Sequence, residues 1–157
     1  MGTAATSSAQ LTAGDFRLAV ILSRYNEDIV EALLDGARAA WRAHGGDEAA
    51  LRIERVPGAF ELPLCARAFA LGGTVDAVVA LGCVIRGETA HFEFVAGECA
   101  RGLQRVMLDT GVPVSFGVLT VQTREQALAR AGAGPTNKGA EALETALAMA
   151  SLLRRLR

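Results

Sequence analysis

The chain has 157 residues, enough for one domain with a core of its own. Its 16 basic and 17 acidic residues leave a formal charge of −1, which excludes a general electrostatic affinity for nucleic acid; an anionic ligand has to be met by a local arrangement of donors. Three cysteines without a CxxC pair and only two histidines argue against a disulfide framework and against a metal site.

Residues 1–15 are small and polar and are expected to form a flexible arm ahead of a single domain over residues 16–157. They lack the basic start and apolar centre of a signal peptide, and no apolar run of membrane-spanning length follows. Cys65, Cys83 and Cys99 lie within apolar runs and read as small buried hydrophobes of a reducing, cytoplasmic environment. Lys138 is the single lysine among 15 arginines.

The first element, "RLAVIL" (17–22), is a short apolar strand that stops at Ser23-Arg24-Tyr25-Asn26. Asn26 is placed to cap the next helix, and Glu27 and Asp28 suit its positive end. Val30, Leu33, Leu34, Ala37 and Trp41 recur at helical spacing until His44-Gly45-Gly46. "LRIERV" (51–56) alternates and predicts a half-exposed strand, and "PGAFELP" leads into a helix ending near Gly72. "VDAVVALGCVI" (75–85) is apolar on both faces, as a central strand of a parallel sheet must be.

A helix is expected over residues 91–108, a buried strand over "VSFGVLTV" (114–121), a short helix around "REQALARAG" and a last helix over 141–153. This order predicts an α/β fold, a three-layer α/β/α sandwich with a four-stranded parallel sheet. The last helix carries Ala142, Leu143, Ala146, Leu147, Met149, Leu152 and Leu153 around much of its circumference. More than one sheet face is needed to cover them, which predicts packing against a second subunit.

Ligands of a parallel α/β sheet bind beyond the C-terminal ends of its strands. There this chain places Tyr25 and Asn26, then Ala59, Phe60 and Glu61, then Val84, Ile85, Gly87, Glu88, Thr89 and His91. Each has a plain structural role open to it: Tyr25 as a capping aromatic, Glu61 as an answer to a helix dipole, His91 as a helix-start residue. Arg130 can be a solvated helix-end residue and Lys138 a loop lysine. Together they make an aromatic plate, a carboxylate, a histidine and free backbone N–H groups on one edge. Residues 87–90 lead into a helix N-terminus, a place where backbone donors hold phosphate, although neither a Walker loop nor GxGxxG is present.

"VPGAFELP", "GCVIRGETAHFEFV", "PVSFGVLT", "EQALARAG" and "NKGAEA", in this order and spacing, resemble lumazine synthase, from about Phe16 to the C-terminus. The resemblance implies a flavodoxin-like fold and a transferase of riboflavin biosynthesis. Its members condense 5-amino-6-(ribitylamino)uracil with 3,4-dihydroxy-2-butanone 4-phosphate, releasing phosphate and water, without metal or organic cofactor. It further implies that Tyr25 stacks on the pyrimidine, standing where the family more usually has Phe. Asn26, Ala59, Phe60 and Glu61 would bind the ribityl chain, Val84, Ile85 and Lys138 the pyrimidine, and Gly87, Glu88, Thr89 and Arg130 the phosphate. His91 would shuttle protons.

Phe116 falls early in its strand and is not expected to reach the edge that holds Tyr25, Glu61 and His91, so Phe116, Arg130 and Lys138 are assigned to the neighbouring chain of a homopentamer or an assembly of pentamers. The partners expected are two small-molecule substrates and further copies of the chain, with neither nucleic acid nor membrane. A flavodoxin-like module that stores a flavin without turnover would use the same plate and nest. What sets the enzyme apart is His91 with Arg130, which a passive binder does not require.

Overall fold

The computed structural model describes residues 11–157. In chain order it forms β1 (Leu18–Ser23), α1 (Glu27–Ala43), β2 (Arg52–Val56), α2 (Leu62–Leu71), β3 (Ala77–Ile85), α3 (His91–Thr110), β4 (Val114–Val121), α4 (Arg124–Ala131) and α5 (Lys138–Leu156). The four strands are all parallel, in the order β2-β1-β3-β4. The two inner strands, β1 and β3, are almost wholly buried, whereas β2 at one edge is largely exposed.

Alternation along the strands sends Leu18, Val20, Leu22, Val79 and Leu81 to one apolar layer with α1, α4 and α5. Ala19, Ile21, Val78 and Ala80 go to the other, with α2 and α3. This is the flavodoxin-like three-layer α/β/α sandwich anticipated above. From β1 the chain moves outward to β2, then back across to β3. The sheet therefore has its topological switch point between β1 and β3, and the region beyond their C-terminal ends is where sheets of this kind form their ligand crevice.

Several local expectations change. Asn26 sits in the N-cap position of α1 but in the left-handed conformation (φ 56°), which asparagine tolerates better than most residues, and its side chain makes no capping bond. Its backbone carbonyl accepts from Ile29 and Val30 instead, and its amide is free for another use. Helix α5 starts three residues before the expected Glu141 because Asn137 caps it, accepting from the N–H groups of Gly139 and Ala140.

The apolar surplus of α5 is met only in part within the chain. The helix lies between α1 and strands β3 and β4, which bury Ala142, Leu143, Ala146, Leu147 and Ala150, whereas Met149, Leu152 and Leu153 stay half-buried. The large apolar side chains left exposed include Leu156 at the end of α5 and, elsewhere, Tyr25, Phe60, Leu64, Phe94, Leu108 and Phe116.

Of the arm expected over residues 1–15, the first ten lie outside the described residues. The last five are fastened to the body. Ala13 is fully buried and donates to the His44 carbonyl at 2.8 Å, and His44 Nδ1 lies 3.0 Å from the Leu11 carbonyl oxygen. Asp15 pairs with Arg154 at 2.7 Å. Cys83 and Cys99 are buried, and burial pushes both thiols up to about 11; Cys65 is half-buried.

Candidate active site

The crevice at the switch point is built from three strand ends. Beyond β1, the Arg24 N–H donates to the Val56 carbonyl at 3.0 Å, which ties the turn to β2. The left-handed Asn26 then turns its side chain across the crevice, and Nδ2 donates to the Cys83 carbonyl of β3 at 3.0 Å. Asn26 thus stitches the two halves of the switch point together. Tyr25 stands out beside it, 73% exposed.

Beyond β2, residues 59–61 form a single 3-10 turn before α2, with Ala59 buried and Phe60 and Glu61 exposed. Gly58 determines how this turn meets Tyr25. A Cβ at Gly58 would lie 3.0 Å from Glu61 Oε2 and 3.5 Å from Tyr25 Cδ2, so the carboxylate and the ring share the space over one bare backbone. A side chain at position 58 would push them apart.

Beyond β3, Val84 and Ile85 are half-buried and residues 86–91 are exposed. The Arg86 N–H donates to the Val121 carbonyl at 2.9 Å, fixing the start of the loop to the end of β4. The His91 N–H lies 3.4 Å from Thr89 Oγ1, and His91 itself is the first residue of α3. Tyr25, Asn26, Ala59, Phe60, Glu61, Val84, Ile85, Gly87, Glu88, Thr89 and His91 all fall at these strand ends.

Phe116, Arg130 and Lys138 do not. They line a separate groove of about 450 Å³ between the free edge of β4 and α5, together with Ser115, Thr120 and Thr145. None of residues 87–91 lines it. Phe116, 46% exposed, stops five residues short of Val121, which is roughly 16 Å along a strand at about 3.3 Å per residue. Arg130 donates one Nη1 proton to the Gln126 carbonyl of its own helix at 2.9 Å, and Lys138 pairs with Glu141 at 2.5 Å.

Two residues that organise these regions escaped the reading of the sequence. The first is Asn137, 2% exposed. Its Oδ1 caps α5 while Nδ2 donates to the carbonyls of Ala32, Ala131 and Gly132, joining α1, α4 and α5. The knot demands bare backbone around it: a Cβ at Gly36 would meet Asn137 Oδ1 at 2.0 Å, and one at Gly139 the Leu33 carbonyl oxygen at 1.9 Å. An asparagine directly before a helix is a legible cap signal, but it shows only once α5 is known to begin at Lys138. The second is Arg86, whose guanidinium meets Glu93 and Phe92 of α3; an ion pair seven residues apart across a loop leaves no periodic trace.

Among the described residues no group of three or more His, Cys, Asp or Glu could hold a metal ion. No described helix is long and apolar enough to cross a membrane. The family model described as 6,7-dimethyl-8-ribityllumazine synthase matches residues 15–154, which take in every strand and the crevice they end in. The chain belongs to the lumazine synthase family.

Relatives agree along nearly the full length. The 6,7-dimethyl-8-ribityllumazine synthase of Halorhodospira halophila is 52% identical over 142 residues, covering 90% of this chain and 91% of the relative. Proteins of the same name from two strains of Thermus thermophilus are each 53% identical over 148 residues, covering 94% of both chains. Membership in the lumazine synthase family makes the strand-end crevice the place to look for transferase chemistry.

Proposed function

We propose that this chain, through its domain over residues 16–157, is a lumazine synthase: it joins 5-amino-6-(ribitylamino)uracil to 3,4-dihydroxy-2-butanone 4-phosphate, giving 6,7-dimethyl-8-ribityllumazine, phosphate and water. The observation that carries this reading is the full-length family match, with the motif residues gathered at the switch point of the sheet. Tyr25 stacks on the pyrimidine. Glu61, held next to it over Gly58, accepts from ribityl hydroxyls, as does the turn at Ala59 and Phe60. Backbone groups at Val84 and Ile85 read the pyrimidine edge.

The chemistry needs little from the protein beyond placement and protons. The 5-amino group attacks the butanone carbonyl, and water leaves as the imine forms. Phosphate is then eliminated, and the ribitylamino nitrogen closes the second ring with loss of another water. His91, beside the exposed loop that offers Gly87, Glu88 and Thr89 to the phosphate, relays protons through these steps. Two bound reactants held in register account for most of the acceleration.

The site is shared between chains. One chain presents the crevice with Tyr25, Glu61 and His91; its neighbour in a homopentameric ring presents the groove with Phe116, Arg130 and Lys138. The separation of the two groups within one chain supports this arrangement, as does Phe116 standing exposed on an edge strand. Arg130 then meets the phosphate with a planar fork suited to it. The free thiols suit a cytoplasmic enzyme. Mixing the purified protein with both substrates tests the activity: lumazine absorbance and fluorescence should appear only when both are present, and their absence overturns the reading. A protein that purifies yellow with stoichiometric flavin and makes no lumazine would be the storage module instead.

A further inference from the structure

The loop at residues 86–90 carries the phosphate nest and leads into His91, yet it is exposed along its whole length. Exposed loops are more mobile than the elements they join, so a loop that places functional groups depends on how a rigid scaffold holds it. One end is held by the backbone: Arg86 N–H donates to the Val121 carbonyl at 2.9 Å. The other end is held by the side chain of the same residue. Arg86 Nη1 lies 2.5 Å from Glu93 Oε1, and the guanidinium carbon lies 4.5 Å from the centroid of the Phe92 ring. Glu93 in turn donates its backbone N–H to the Ala90 carbonyl at 3.1 Å, closing the first turn of α3.

We propose that Arg86 is a positioning residue: through Glu93 and Phe92 it staples the phosphate loop to α3 and fixes where His91 stands. This inference rests on the reading of the site given above. The guanidinium meets a carboxylate and lies over a ring at once, a combination that its planar fork serves better than a lysine ammonium. Its charge is therefore matched by Glu93 on α3, which leaves the phosphate to the backbone donors and to Arg130. The hydrogen bond from Arg86 holds the Glu93 carboxyl below the usual carboxylate range, so the pair is fully ionised at neutral pH.

An exposed ion pair adds little to global stability, which makes the proposal separable from a merely structural role. Arg86→Gln, Glu93→Gln, the double variant and Arg86→Lys are compared with the wild-type enzyme in steady-state assays, thermal unfolding and amide hydrogen exchange. Each glutamine variant should lower kcat roughly tenfold, within the about hundredfold that displacing a catalytic group by about 1 Å can cost. KM for the pyrimidine and the unfolding midpoint should hold. The double variant should be no slower than either single one, since both remove the same staple. Arg86→Lys, which keeps the charge but loses the stacked plane, should recover part of the rate. Amides of residues 87–92 should exchange faster in both glutamine variants.

Wild-type kcat in Glu93→Gln would overturn the proposal. So would a higher KM for the butanone phosphate in Arg86→Gln alone, because Arg86 would then be a phosphate ligand. Unchanged exchange at 87–92 would overturn it too. If Arg86→Gln fails to fold, the isosteric Glu93→Gln still decides. If the wild-type protein makes no lumazine, the functional reading fails, while hydrogen exchange continues to report on the staple.

Discussion

The crevice at the ends of β1, β2 and β3 and the groove beside β4 hold their residues by different means. In the crevice, side chains stand where strands stop, and their places follow from hydrogen bonds to strand-end carbonyls: the backbone N–H of Arg24 to Val56, the backbone N–H of Arg86 to Val121, and the side-chain amide of Asn26 to Cys83. In the groove, Arg130 and Lys138 ride on α4 and α5, and their places follow from how three helices are knotted by one buried asparagine. Strand ends set a site locally, whereas helix packing sets it at a distance. The crevice should therefore respond to substitutions within it, and the groove to a residue that touches no ligand at all.

The largest effect should come from that residue. Asn137→Ala removes a helix cap and leaves buried carbonyls without their donor, a combined loss of about 2–4 kcal/mol. The unfolding midpoint should drop accordingly. At temperatures where the variant stays folded, KM for the butanone phosphate should rise more than KM for the pyrimidine. A midpoint within the error of wild type would deny Asn137 its place as the knot.

Within the crevice, His91→Ala should lower kcat by about 10²-fold or less, the low end of general acid–base catalysis, if placement of the two substrates carries most of the rate. A loss on the order of 10⁴-fold would mean that His91 does far more than relay protons. Across the divide, Arg130→Ala should weaken butanone phosphate binding by roughly 1.5–3 kcal/mol, the scale of a charge-assisted hydrogen bond, and leave the pyrimidine nearly untouched. Equal weakening of both substrates would make Arg130 structural.

Smaller effects sharpen the same contrast. Asp15, Glu93 and Glu125 are held below the usual carboxylate range, chiefly by hydrogen bonds from Arg154, from Arg86 and from the backbone of Glu125's own turn. A lowered folded value means that the unfolded chain binds more protons as acid is added. Their contribution is therefore present above the unfolded values and is lost as pH falls through the folded ones. The unfolding midpoint should hold just above pH 5 and fall progressively below about pH 4. Smallest of all should be Tyr25→Phe, which keeps the plate and removes an exposed hydroxyl; KM for the pyrimidine should move by no more than about twofold.

The crevice was the more legible of the two in the sequence. Apolar runs that stop at "SRYN", "PGAFE" and "RGETAH" mark strand ends directly, and parallel topology sends all three to one edge. The fold class followed from the same alternation of strands and helices. Asn26 takes the expected N-cap position of α1, but its side chain reaches another strand instead of capping, because a capping asparagine and a left-handed one share the same letter and the same neighbours. The surplus of apolar residues on α5 was legible, but the share of it that α1 covers was not, since only the packing reveals that contact. Arg86 and Asn137 act between elements, and no periodicity records such contacts.

In the proposed arrangement one site is assembled from two chains. Two variants test it most directly: one disabled in the crevice at Tyr25 and His91, the other in the groove at Arg130 and Lys138. They are dissociated, mixed in equal amounts and reassembled, with assembly verified by mass measurement. Random placement around a ring pairs an intact crevice with an intact groove at about a quarter of the interfaces, so activity should return to about a quarter of wild type. Verified reassembly with no return of activity would place the whole site within one chain and contradict the shared-site account.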